Sequence, residues 1–257
     1  KISWKIYLKN KCGGNMIKKF TVGILTNNRN DMLDETLMSI KLHNSLEGID
    51  ILLLDNGSCQ ITQIENQKIA HKYNLKYIYN DVDNCLSLNE KIEKGHNKLI
   101  CELLKTKADT FCILEDDWKC VGKIPLDACR KFLYDNLDIG QIRIRDFRYD
   151  DSFYGGSSLN FVNLKKIKFN KKEFVNGIEF DIAEMHWVNS CQIIRRDSLE
   201  YMSTEIHSEM KKMQYFYEIF PKNAQLKPGI FYHIGPQRIR KDLRAKGLFV
   251  NENISQN

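Results

Sequence analysis

"FCILEDDWKC" (residues 111–120) runs four apolar residues of a buried-strand type into three consecutive carboxylates, Glu115, Asp116 and Asp117, and then a tryptophan, Trp118. Like charges this close repel and raise one another's pKa, so a core strand that ends this way needs a cation at its tip. Hard divalent cations such as Mg2+ and Mn2+ suit that place, because they take oxygen ligands from one or two carboxylates and complete their shell with phosphate oxygens. A neighbouring carboxylate that stays ionised is a pure acceptor and can hold a sugar hydroxyl. The same charges could instead cap the next helix or pair with Lys119 and Lys123.

Upstream of this strand the chain alternates. "FTVGIL" (20–25) predicts a strand and 32–44 a helix; "IDILLLD" (49–55) a strand and 61–73 a helix; "LKYIYN" (75–80) a strand, 87–104 a helix and 110–115 the acidic strand. Alternating apolar strands and helices predict an α/β fold with a mainly parallel sheet covered on both faces. Ligands of such sheets gather beyond the carboxyl ends of the strands. All four strands end in polar loops: Thr26 to Arg29, Asp55 to Ser58, Asn80 to Asn84, and Glu115 to Asp117. Each loop alone is ordinary turn chemistry; four of them on one rim point to a site.

Downstream the alternation weakens. Residues 126–137 read as a helix, "GQIRIRDF" (140–147) as a half-exposed strand, 150–177 as loops or a mobile insertion, 186–196 as a strand, 205–219 as a helix and "GIFYHIG" (229–235) as a last short strand. No repeat or low-complexity linker divides the chain, so a single domain over 16–257 is expected, with halves 16–120 and 121–257 and an extension over 1–15.

The 257 residues, 42% of them hydrophobic, allow a substantial core. No stretch reaches the roughly 20 apolar residues of a membrane span, and no secretory signal is evident. Eight cysteines without a CxxC pair argue against a zinc ribbon or thioredoxin-type site, and favour reduced thiols in the cytoplasm. The basic residues form no stripe interleaved with aromatics, which argues against nucleic acid as a partner. The run Arg238, Arg240, Lys241, Arg244 and Lys246 reads as a solvated face or a phosphate-facing segment.

The order "FTVGILTNNRNDMLDETLMSI", "IDILLLDNGS", "NDVDNCLSLNEKIEKG" and "FCILEDDW" resembles the nucleotide-binding half of family 2-like glycosyltransferases of the GT-A fold over residues 20–120. The resemblance implies that Thr26, Asn27, Arg29 and Asp55 surround the base and ribose and that Asn84 and Asn89 lie near the donor. It also implies that Glu115 and Asp116 face the ribose and that Asp117 binds the metal, as in a Glu-Asp-Asp variant of the D-x-D motif. The first acidic position is Glu rather than Asp, and Cys85 stands where Gly is frequent. "VNSCQIIRRDSL" is similar to the strand and Arg-Arg turn before the family's acceptor-side helix, and "FYHIG" to the segment that supplies a late His. On that basis Glu209 is a candidate general base, with Asp181, Glu184 and Glu205 as rivals, and His233 a candidate metal ligand or diphosphate contact.

The implied reaction is a metal-dependent hexosyl transfer with Mn2+ or Mg2+, in which an acceptor hydroxyl attacks the anomeric carbon of a nucleotide sugar, with UDP the expected nucleotide and inversion the expected outcome. A carboxylate that takes the hydroxyl proton contributes typically about 10²–10⁴ in rate. The acceptor would be a glycan, glycolipid or glycoprotein, with Trp118, Trp187, Tyr149, Phe153 and Tyr154 as a candidate platform for a sugar ring and 150–177 as the segment setting specificity. Competing readings are a non-catalytic binding protein of the same fold, a sugar nucleotidyltransferase, for which no Gly-rich phosphate loop is found, and a glycosidase, which needs no nucleotide crevice.

Overall fold

The computed structural model describes residues 20–45, 49–83, 85–146, 169–184, 190–203 and 209–235, the side chains of Leu88, Glu209, Met210 and Met213 excepted. The first half alternates: β1 (Phe20–Thr26), α1 (Asn30–His43), β2 (Asp50–Asn56), α2 (Gln60–Lys72), β3 (Lys76–Asn80), α3 (Leu88–Leu104) and β4 (Thr110–Glu115). Strand β5 (Trp118–Cys120), α4 (Leu126–Asp135), β6 (Ile139–Arg143), β7 (Lys171–Val175), β8 (Ile178–Glu184), β9 (Gln192–Arg195), α5 (Arg196–Met202), α6 (Glu209–Ile219), β10 (Lys222–Lys227) and β11 (Phe231–His233) follow.

Among the described residues nine strands form one sheet in the order β3-β2-β1-β4-β9-β6-β10-β8-β7. Strands β1 to β4 pair parallel, as their continuous apolar runs require when both faces are covered. One face carries Val22, Ile24, Leu53 and Leu114 beneath Leu33 and Leu37 of α1 and Phe132 of α4. The other carries Leu52, Leu54, Phe111 and Ile113 beneath Leu99 and Leu103 of α3 and Phe216 of α6. Helix α3 starts at a capping box, in which Ser87 and Glu90 satisfy each other's backbone donors. Beyond β4 the sheet is mixed: β9 runs antiparallel to β4 and β6, and β8 antiparallel to β7 and β10.

Two expectations for the second half are corrected, and the last strand finds a partner of its own. Residues 171–175, read as loop, are strand β7, joined to β8 by a turn in which Asn176 and Gly177 both have positive φ (51° and 78°). Two adjacent left-handed residues are what a type I′ hairpin needs. The 140–147 strand is shorter, Ile139–Arg143, and buried throughout rather than half-exposed. Its alternating Gln141 and Arg143 lie in a covered polar row, where Arg143 pairs in register with Gln192 and Gln225, and Gln225 with Asp181. The last strand does not join the main sheet; β11 pairs antiparallel with β5 and brings His233 opposite Trp118. Residues 147–168, 185–189, 204–208 and 236–257, which include Tyr149, Phe153, Tyr154, Trp187, Glu205 and the basic run, lie outside the described residues.

The Arg-Arg pair has a clear structural role. Arg195 is fully buried, and its guanidinium donates to the carbonyls of Leu133 (3.0 Å), Leu137 (2.8 Å) and Ile139 (2.8 Å), while its Nε lies 2.6 Å from Asp197. Arg196 donates to the carbonyls of Leu104, Thr106 and Ala108. The two side chains thus close the C-terminal ends of α4 and α3, whose last carbonyls have no partner within their own helices. Replacing Arg195 with Met keeps an apolar stem but strands these carbonyls and Asp197; a loss of about 3–5 kcal/mol in a urea titration is expected.

The cysteines provide a second check. Among the described residues Cys59, Cys85 and Cys101 are exposed, whereas Cys112, Cys120, Cys129 and Cys191 are buried and free; Cys12 lies outside them. Burial raises the pKa of all four buried thiols, which keeps them protonated and unreactive. A thiol reagent is therefore expected to label the three exposed cysteines rapidly in the native protein and the four buried ones only after denaturation, with peptide mapping as the readout.

Candidate active site

The loops that follow β1 to β4 meet through hydrogen bonds. Asn56 accepts at its carbonyl from Asn27 Nδ2 (2.6 Å) and at Oδ1 from Asn80 Nδ2 (2.8 Å), and its own Nδ2 donates to the Lys91 carbonyl (2.9 Å) on α3. Asn28, at φ 53°, receives Cys59 N–H at its side-chain oxygen, and its own N–H donates to Ser58 Oγ. Gly57 turns the chain at φ 77° against Val82, a conformation that a side chain would strain. The rim anticipated from four polar strand ends is therefore one connected network.

Asp55 is fully enclosed. Its carboxylate accepts from Ser58 N–H (3.0 Å), Asn66 Nδ2 (2.9 Å) and the Tyr77 hydroxyl (2.9 Å), so it organises the second loop from within. Asn89 is exposed in the first turn of α3 at the same rim, and Asn84 lies outside the described residues.

The three carboxylates at the end of β4 have different surroundings. Glu115 is part-exposed; His96 Nε2 lies 3.1 Å from its Oε1, and Ser190 Oγ donates to its Oε2 at 3.3 Å. Asp116 turns inward with no exposure. Its Oδ2 accepts from the Thr26 hydroxyl (2.6 Å), its N–H donates to the Leu25 carbonyl and its carbonyl accepts from Thr36, tying β4 to β1 and α1. Asp117 is 4% exposed, and its Oδ2 accepts from both Arg29 (2.7 Å) and His233 Nε2 (2.9 Å). Its Oδ1 is buried and has no hydrogen-bond partner among the described residues.

The cation required by this strand end is Arg29, the residue before α1. Its guanidinium spans both carboxylates, 2.7 Å from Asp116 Oδ1 and 2.7 Å from Asp117 Oδ2. Lys119 pairs with Glu35 instead. Burial acts to lower the Arg29 pKa, but Asp116, Asp117 and Glu115 together raise it. Burial pushes Asp116 up to about 7, with Asp117 and Glu115 adding to the push and Arg29 and Thr26 opposing it. Burial also acts upward on Asp117, but His233 and Arg29 more than reverse it and hold that carboxylate below its ordinary value. Asp117 is therefore the more acidic member of the pair.

β5 and β11 set the far wall. Trp118 stacks on His233 with centroids 4.8 Å apart, and the Arg145 guanidinium lies 5.3 Å from the Trp118 ring centre. Trp118 is only 5% exposed, which corrects its expected part in an open sugar platform. At Gly235 a Cβ would stand 2.7 Å from Asp117 Oδ2, so a side chain there would crowd the carboxylate. Among the described residues no group of three or more His, Cys, Asp or Glu side chains could hold a metal. Asp117 and His233, however, form a pair with one spare buried oxygen, which fits a hard cation that takes its other ligands from a substrate's phosphates and water.

Two rivals for the catalytic base lie elsewhere. Asp181 shares a row with Ile113 of β4 through Gln192, Arg143 and Gln225, four strand spacings or about 19 Å away, and sits between Lys227 (3.5 Å) and Lys172 (3.8 Å). Glu184 pairs with Lys222, the first residue of β10, at the edge of the sheet opposite the acidic motif. The structure brings neither to Asp117. His96 and Ser190 were not anticipated. A single buried His on α3 carries no periodic signal, and Ser190 reaches Glu115 only through the fold.

No family model matches the chain, and no curated protein sequence matches it. Solved structures do. TarS 1-349 of S. aureus superposes with a TM-score of 0.53 at 15% identity over 88% of this chain and 64% of that one. The same protein in complex with UDP-GlcNAc gives 0.52 at 15% identity over 83% and 58%. The mannosyltransferase PcManGT from Pyrobaculum calidifontis, in complex with GDP-Man and Mn2+, gives 0.57 at 12% identity over 95% and 67%. The chain thus spans about two thirds or less of the length of these structures. No helix among the described residues is long and apolar enough to cross a membrane. The fold is that of the GT-A-type nucleotide-sugar transferases.

Proposed function

We propose that the protein is a metal-dependent glycosyltransferase that moves a sugar from a nucleoside-diphosphate sugar, with UDP the expected carrier, to an acceptor hydroxyl on a glycan, glycolipid or glycoprotein with inversion. The observation that carries this reading is the pairing of Asp117 with His233 at the rim where four loops converge, with Asp117 Oδ1 buried and without a hydrogen-bond partner among the described residues. Structural neighbours solved with UDP, UDP-GlcNAc or GDP-Man and Mn2+ support it.

Asp117 and His233 are the residues that would hold Mn2+ or Mg2+, and a bound cation would offset charge growing on the departing diphosphate. Glu115, fixed between His96 and Ser190, keeps part of its carboxylate at the surface and suits a ribose hydroxyl. Thr26, Asn27 and Asp55 shape the nucleotide pocket, Asp55 through the turn it holds. Glu209 is the favoured base. It is the first residue of α6, one turn before Lys212, which donates to Asn97 beside His96, so the start of this helix lies toward the acidic motif. A base there would take the acceptor proton as the hydroxyl attacks the anomeric carbon, and the bond from that carbon to the diphosphate would break.

The test is thermal unfolding with a panel of nucleoside diphosphates, with and without Mn2+, followed by donor turnover on the responding nucleotide. A ligand that binds only the folded chain raises its midpoint by mass action. A metal-dependent rise with one nucleotide is expected, lost in Asp117→Asn, together with a fall of at least about 100-fold in turnover for Glu209→Gln. The absence of a nucleotide effect on folded protein would favour a non-catalytic binding role.

A further inference from the structure

We propose that Arg29 is a built-in counter-cation beside the seat of the divalent metal, and that metal and donor enter by drawing it from Asp117 onto the donor's diphosphate. This rests on the nucleotide-sugar reading above. The same oxygen, Asp117 Oδ2, accepts from Arg29 and His233, so a cation that takes this carboxylate together with His233 meets the guanidinium as a like-charged neighbour. Repulsion at such separations is strong in a site this buried. Asp116 has other anchors in Thr26, Thr36 and the Leu25 carbonyl, so the departure of Arg29 leaves the backbone of the motif in place.

Arg29 is also suited to leave. Its side chain is 40% exposed, whereas those of Asp116 and Asp117 are 0% and 5% exposed, and it precedes α1 at the mouth of the first loop. A guanidinium forks naturally onto two phosphate oxygens, and a nucleoside diphosphate bound at this rim would offer them. Two consequences follow for equilibrium binding. Metal alone binds weakly, because it must displace Arg29 into water. Metal and nucleoside diphosphate bind cooperatively, because the diphosphate receives the displaced charge, and the coupling must be reciprocal.

The experiment is a titration of Mn2+, followed by the EPR signal of the free ion, on wild type, Arg29→Gln, Arg29→Lys and each combined with Asp117→Asn, first without nucleotide and then with UDP and GDP. Arg29→Gln is expected to bind Mn2+ alone at least about 10-fold more tightly than wild type and to lose most of the enhancement by nucleotide. Arg29→Lys, a single point charge, should fall between, and Asp117→Asn should abolish binding in every background. If Arg29→Gln is unstable in chelator, added Mn2+ should restore its thermal midpoint; failure to do so contradicts the proposal. Equal or weaker Mn2+ binding by Arg29→Gln also overturns it, even if wild type binds nucleotide with metal normally. Absence of any nucleotide binding by wild type would instead overturn the nucleotide-sugar reading, while the comparison without nucleotide still decides the seat of Arg29.

Discussion

Two adjacent carboxylates, Asp116 and Asp117, are buried at the tip of a core strand, and the Arg29 guanidinium bridges them. Burying like charges side by side is among the costlier arrangements a fold can contain, and it persists only when the partners are held in place. Much of the site serves that end. Thr26 and Thr36 fix Asp116, the β5 and β11 pair delivers His233 to Asp117, and the asparagine network around Asn56 holds the first loop, from which Arg29 extends. The two carboxylates consequently divide their roles: Asp116 binds the sheet and helix together, and Asp117 keeps an oxygen to spare.

The parallel half of the fold was legible because its physics is local. "ILLL" and "FCIL" are continuous apolar runs that only a doubly covered strand explains, and each ends in residues suited to turns. The second half was harder because its buried strands are polar. In β10 Ala224 and Leu226 alternate with Asn223 and Gln225, which are buried as well, so only two apolar residues mark a strand that is covered on both faces. The β7–β8 hairpin did carry a signal in Asn176-Gly177, but it stood in a stretch whose composition reads as loop.

The candidate site was legible in its residue types and less so in its geometry. The acidic motif, Arg29 and His233 could each be named from the chain, and the expectation of a cation at the motif was sound in its electrostatics. That the cation in this structure is Arg29 could not be read from the sequence, because the contact joins residues 88 positions apart through loops whose shapes depend on Asn28, Gly57 and Asn56. His96 was missed for the same reason, and strand order, not sequence position, sets the distance of Asp181 and Glu184 from Asp117.

The proposed cation seat joins Asp117 to His233, with Arg29 moving aside to the diphosphate when metal and donor bind. Anomalous diffraction at the manganese edge, from crystals of the protein grown with Mn2+ and a nucleoside diphosphate, tests it most directly. An anomalous peak within coordination distance of the Asp117 carboxylate and His233 Nε2 is expected, with the Arg29 guanidinium moved from Asp117 to the diphosphate. A bound nucleotide with no manganese at Asp117, and with Arg29 still bridging the two carboxylates, would contradict it.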